Sequence, residues 1–174
     1  MNRIAALLAL ACAMLPAQAQ RVRVDFDHAC HFSHYKTYSW APAPEGQWPE
    51  TLFPNELMRA RIAGFIEDAF AAKGIKHVAS GGDLVVGYQV AVTEEPIYTT
   101  FNNGWGWGWD GGISTTTVQT VYHGTVVVEV RDAHRDKLIF QGAATQTISS
   151  RPARNTRRLA RAVSEIFEKY PPQL

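Results

Sequence analysis

The 174 residues hold only two cysteines, Cys12 and Cys30, and no excess of either charge. Seventeen Lys and Arg stand against 16 Asp and Glu, a formal net charge of +1. So few cysteines exclude the disulfide framework that staples small secreted domains. Balanced charge excludes a general attraction to nucleic acid, which is held through an excess of Lys and Arg. No second long apolar run follows the N-terminal one, which excludes a multi-pass membrane protein. The signatures G-x-S-x-G, H-E-x-x-H and the phosphate-binding loop are missing as well, so catalysis finds no motif to stand on. What is present is 46% hydrophobic and 11% aromatic residues. That is enough to bury a core, in a length suited to one domain.

The N-terminus reads as an export signal. Asn2 and Arg3 open a positive start, residues 4–15 are almost all Ala, Leu, Ile and Met, and Pro16 leads to Ala17-Gln18-Ala19. A cationic start, a short apolar stretch and a small-x-small site together describe a secretory signal peptide at residues 1–19. The apolar stretch is too short to span a bilayer. A short buried helix is the rival reading, but no polar face recurs at helical spacing. Cleavage after Ala19 leaves residues 20–174 as a single envelope domain, with Arg3 gone and 16 cations facing 16 acids. The alternative is a lipoprotein anchored through Cys12, although Ala9 stands where Leu is usual in such signals. On the first reading Cys30 is the one cysteine left. It has no partner within the chain and is expected to be buried.

Downstream, Val22, Val24 and Phe26 alternate with charged residues, which predicts a half-buried strand. Residues 35–40 predict a second. Pro42, Pro44, Gly46, Pro49 and Pro54 punctuate a loop. Asn55 is a candidate cap for a helix running to about Lys73, with Met58, Ile62, Phe65, Ile66 and Ala69 on one face and Gly74 as its stop. Leu84, Val86, Tyr88, Val90 and Val92 make the clearest strand. Residues 94–114 read as a connection. Residues 115–122 and 125–131 read as one strand or two, with Gly124 as a possible break. Residues 138–148 return as a hairpin, and a last helix runs from Pro152 to about Lys169. The expectation is an α+β domain: an antiparallel sheet with two helices packed on one face, in the order β-β-α-β-β-β-α.

Several stretches carry a family pattern together: DFD at 25–27, FSHYKTYSW at 32–40, AKG at 72–74 and DLVVGY at 83–88. WGWGW at 105–109, TTT at 115–117, GTVVVEV at 124–130, KLIFQG at 137–142 and AVSEIFEKYPP at 162–172 continue it. In this order and spacing they resemble the domain of unknown function 4136 family (DUF 4136) of small bacterial envelope proteins, many of them lipoproteins. The resemblance runs from about residue 22 to 172. It implies a fold and a compartment, but no activity and no cofactor.

Three constellations are candidates for function. Trp105, Trp107 and Trp109 are spaced by single glycines, so an extended chain aims all three indoles one way. Such a platform suits a glycan ring or a membrane interface, and the rival readings are a loop whose tryptophans close the end of the core and a mobile loop loosened by its glycines. Tyr98 and Phe101 would extend it. Arg154, Arg157, Arg158 and Arg161 share one helix face near an N-terminus, where cations oppose the macrodipole. They are either a solvated stripe or a contact for anionic groups. His28, His31 and His34, beside Cys30, Asp25 and Asp27, offer metal-ligand chemistry, against the plainer reading of a solvated loop. Glu129 and Arg131 are expected to pair across the hairpin. The function expected is a non-enzymatic binding or accessory module in the periplasm, engaging another envelope protein or peptidoglycan. It has no nucleic-acid partner, and a membrane is involved only through a lipidated Cys12.

Overall fold

A computed structural model describes residues 21–42, 55–102 and 114–172. Strands β1 (Arg21–Phe26) and β2 (Thr37–Trp40) precede helix α1 (Asn55–Ala72). Then come β3 (Lys76–His77), β4 (Leu84–Asn102), β5 (Ser114–Asp132), β6 (Lys137–Thr147) and helix α2 (Pro152–Glu168). The strands form one six-stranded sheet in the order β1-β6-β5-β4-β2-β3. The proposed signal at 1–19, with Cys12, lies outside the described residues, as do Trp105, Trp107 and Trp109.

The sheet is mixed, which corrects the purely antiparallel expectation. β1, β6, β5 and β4 pair antiparallel, but β2 pairs parallel with both β3 and β4. The cause is α1. A helix between β2 and the next strands carries the chain back to the end where β2 began, so β3 and β4 run in its direction. The short β3 was also absent from the expected order. Residues 32–34 form a 3-10 turn ahead of β2. β5 runs unbroken through Gly124, and the one irregularity of register falls between Val130 and Arg131 against β6.

One face of the sheet is the core face. Leu84 and Val86 of β4, Val126, Val128 and Val130 of β5, and Phe140 and Ala144 of β6 are buried there in matched register. Helix α1 meets the sheet where Phe70 stacks on Tyr38 at 4.6 Å and where the Tyr88 hydroxyl donates to the Arg59 carbonyl at 3.2 Å. Helix α2 meets the sheet at Gly142, where a Cβ would collide with the side chain of Ile166, so only glycine admits the helix this close. Phe70 also meets Phe167 edge-on at 4.8 Å, and Tyr170 touches Phe32, Phe70 and Phe140. Gly74 ends α1 at φ +74°, the left-handed conformation its sequence position predicts. Pro152 opens α2 in its first turn, as expected.

The loop side is held by carboxylates. Asp83 accepts from the Lys36 N–H, the Thr37 N–H and the Thr37 hydroxyl, each at 2.9 Å. Those donors, led by the Lys36 amide, hold its carboxyl below the ordinary 3.8.

Candidate functional site

The feature that stands apart from the core is made by β4 and β5 alone. Their pairing is continuous from Leu84↔Asp132 to Asn102↔Ser114. β2 covers β4 only at Leu84–Val86, and β6 accompanies β5 only as far as His123. Beyond Thr93↔His123 the two strands continue as a two-stranded arm, about 30 Å long at about 3.4 Å per residue. The expected connection at 94–114 is therefore strand up to Asn102. Its β-favouring residues Ile97, Tyr98, Thr99, Thr100 and Phe101 were the signal, and Pro96 obscured it.

A two-stranded ribbon has no layer to pack on and is marginal in water by itself. Cross-strand pairs hold this one. The Thr100 and Thr116 hydroxyls lie 3.1 Å apart, and His123 Nε2 meets Glu95 Oε2 at 3.0 Å near the root. Large apolar groups stay in solvent on both faces: Tyr98 is 67% exposed, Phe101 64%, Val118 56% and Ile97 43%. Full burial of such a side chain is worth roughly 1.5–3 kcal/mol, and this projection leaves several of them uncovered. Residues 103–113, with the three tryptophans, join Asn102 to Ser114 in sequence.

At the root of the arm lies the start of α2. Ile148 N–H donates to the Tyr122 carbonyl at 2.7 Å. Asn155 clamps Ser149 from both sides, its Oδ1 accepting from the Ser149 N–H at 2.8 Å and its Nδ2 donating to the Ser149 carbonyl at 2.7 Å. Arg158 donates to the Thr147 carbonyl at 2.7 Å. Arg161 lies 3.9 Å from Glu165. Arg154, Arg157 and Arg161 are exposed, Arg158 is half-buried, and no acid occupies the first turn of α2. Of the four arginines, Arg158 is the one tied to the strand end beside the arm.

The histidines do not converge. His28 packs against the Phe26 ring at 4.3 Å, while His31 and His34 lie 5.9 Å apart by ring centres. Among the described residues no three His, Cys, Asp or Glu side chains come together as a metal site. Glu129 and Arg131 take separate partners. Glu129 accepts from the Gln141 side chain at 3.1 Å, and Arg131 lies 3.9 Å from Asp136.

Sequence reasoning missed a buried polar cluster. Cys30 is buried as expected, with its Sγ 3.6 Å from the Tyr35 hydroxyl, which donates to Asp132 Oδ2 at 2.9 Å. Burial works to raise the Asp132 carboxyl. The Tyr35 hydroxyl and the N–H groups of Arg135 and His134 outweigh it, so the group stays below 3.8. Burial, then the Cys30 and Asp132 contacts, push the Tyr35 phenol well above its ordinary value. No motif links residues 30, 35 and 132, so only the fold brings them together. A shallow groove of about 360 Å³ runs between the helices, floored by Phe65, Ala69 and Phe167 with Asp68, Lys73 and Glu168 on its rim.

The family model described as domain of unknown function (DUF4136) matches residues 22–172, and the chain belongs to that family. No curated protein matches the sequence. Among solved structures, a PDZ domain protein from Parabacteroides distasonis is similar with a TM-score of 0.59 at 13% identity, over 88% of this chain. The chain spans 36% of that protein's length. The PelC dodecamer from Paraburkholderia phytofirmans is similar with a TM-score of 0.50 at 12% identity, over 90% of this chain and 100% of that one. A substituted form of PelC gives the same score at 14% identity, over 85% and 94%. These likenesses establish a shared fold.

Proposed function

We propose that this DUF4136 domain is an exported cell-envelope module that acts in the periplasm by binding, with no chemistry of its own, and that its arm is the contact surface. The observation that carries the reading is the ribbon beyond Thr93↔His123, where Ile97, Tyr98, Phe101 and Val118 are exposed on strands that the core does not need. Peptidoglycan or another envelope protein is the ligand, engaged by Trp105, Trp107 and Trp109 where they join the two strands. The arginines of α2 supply a second, anion-favouring contact at the root. The contacts of Phe70, Tyr88 and Ile166 with the core face support both helices lying on one side of the sheet, which leaves the arm clear of them.

A second reading rests on Cys12 in the apolar leader: a structural outer-membrane lipoprotein held through a lipidated cysteine. The mass of the mature N-terminus separates the two. A chain beginning at Gln20 supports the soluble module, and a diacylglyceryl-modified Cys12 supports the anchor. The binding role is tested by retention of the mature chain on peptidoglycan sacculi and on immobilised envelope extract. Replacing Trp105, Trp107 and Trp109 together by Ala is expected to abolish retention with the circular dichroism spectrum unchanged. Undiminished retention defeats the platform.

A further inference from the structure

We infer that the end of the domain where both helices begin is a docking surface for an anionic phospholipid bilayer. This deepens the anion-favouring contact of α2 proposed above by naming its ligand, and it does not depend on the tryptophans.

The first ground is where the fold gathers charge. The whole chain carries a formal charge of only +1. Yet α1 and α2 lie side by side and run in the same direction. Near their starts Arg61 donates to the Thr156 hydroxyl at 3.2 Å. Near their ends Phe70 meets Phe167 at 4.8 Å, and Lys73 and Glu168 line one groove. Both first halves therefore fall at one pole. Residues 55–64 and 151–161 carry seven arginines and one acid, Glu56. Residues 65–73 and 162–169 carry four acids and two lysines. Arg151, Arg154, Arg157 and Arg161 are exposed, and the last three share one face of α2. Among the described residues Arg161 is the one of these four with an ion-pair partner, Glu165 at 3.9 Å.

The second ground is that the helix gains nothing from this placement. Acids in the first turn and bases in the last turn steady a helix, and cations near its start oppose the macrodipole. The first turn of α2 holds no acid and its last turn no base. A local rule broken with no gain to the fold points to a surface kept for contact.

The third ground selects a bilayer. From Arg151 to Arg161 the arginines extend over about 15 Å of helix, at about 1.5 Å per residue. Guanidinium groups spread along an outer helix face suit many phosphates presented on a plane, each able to accept two N–H donors at once. Leu57 is 49% exposed at the same pole, an aliphatic side chain for the headgroup boundary to cover. An acidic peptide is the poorer occupant. It would seat its apolar anchors in a groove, and the groove between the helices lies toward the other pole with Asp68 and Glu168 on its rim.

Cosedimentation of the mature chain with vesicles tests this. The probes are phosphatidylglycerol–phosphatidylethanolamine vesicles and vesicles of phosphatidylcholine alone. Binding is expected to the anionic vesicles only, and to weaken as salt rises. Arg154→Glu with Arg157→Glu is expected to weaken it at least tenfold. Its melting temperature is expected to equal or exceed that of wild type, because acids suit a helix start. Lys73→Glu with Lys169→Glu makes the same change of net charge at the other pole and is expected to alter binding no more than about twofold. Trp105→Ala, Trp107→Ala and Trp109→Ala together are expected to leave vesicle binding intact. Equal binding to both vesicle types overturns the inference, as does an equal loss in the arginine and lysine variants, or a loss in the tryptophan variant. A chain that ignores anionic vesicles overturns it too, and retention of that chain on sacculi through its tryptophans leaves the binding role standing. Binding to immobilised poly-glutamate with none to vesicles overturns it in favour of an acidic protein segment.

Discussion

Residues 84–92 and 93–102 belong to one strand, and residues 124–132 and 114–123 to its partner, yet the two halves of this ribbon have different surroundings. In the first half Leu84, Val86, Val126, Val128 and Val130 are buried on one face of the sheet, with Tyr88 and Val90 partly buried beside them. In the second half threonine replaces valine, apolar groups fall on both faces, and nothing in the described residues covers them. Backbone pairing is the same in both. The difference shows that hydrogen-bonded register is enough to continue a strand pair, whereas burial decides which part of it carries the stability.

The comparison is broken most severely inside the first half. Phe70→Ala removes a fully buried ring stacked on Tyr38 and edge-on to Phe167, and is expected to cost about 3–5 kcal/mol in urea unfolding. Gly142→Ala forces a Cβ into Ile166 and is expected to cost about 1–3 kcal/mol by the same measurement.

Acid and alkali sharpen it next. Asp83 and Asp132 sit below 3.8 in the fold, so the stability they add is complete above pH 3.8 and is lost as pH falls through their folded values. Burial, with the nearby Glu67, pushes Tyr38 up to about 12. That contribution is complete below pH 10 and is lost as pH rises through about 12. Unfolding midpoints are therefore expected to fall at both extremes, and Asp83→Asn is expected to flatten the acid limb. A mutant with the wild-type acid limb removes Asp83 from the account.

The smallest effect belongs to the arm. Tyr98→Ser with Phe101→Ser is expected to change unfolding stability by no more than about 0.5 kcal/mol, because both rings are already in water. A larger loss would mean that the arm is part of the core.

Much of this was legible in residue order. Val22, Val24 and Phe26, the alternation from Leu84 to Val92, the stop at Gly74 and the start at Pro152 each carry a local physical signal, and each marks what it predicts. The parallel pairing of β2 was not legible, because direction is set by the helix between strands and leaves no mark on Thr37–Trp40 itself. The arm was half legible: residues 115–122 read as strand, while Glu94, Glu95 and Pro96 read as an ending. They are guards at a root, and the same residues would look alike in a loop. The Cys30–Tyr35–Asp132 cluster was invisible because 97 positions separate the tyrosine from the aspartate.

The account turns on the arm being dispensable for folding and necessary for contact. Its most direct test replaces residues 94–122 with an Asn-Gly turn between Thr93 and His123, a connection that suits a tight hairpin. The shortened mature chain is then compared with the intact one for melting temperature and for retention on sacculi and envelope extract. The account predicts a melting temperature within a few degrees of the intact chain and no retention. Retention equal to that of the intact chain, or failure of the shortened chain to fold, would contradict it.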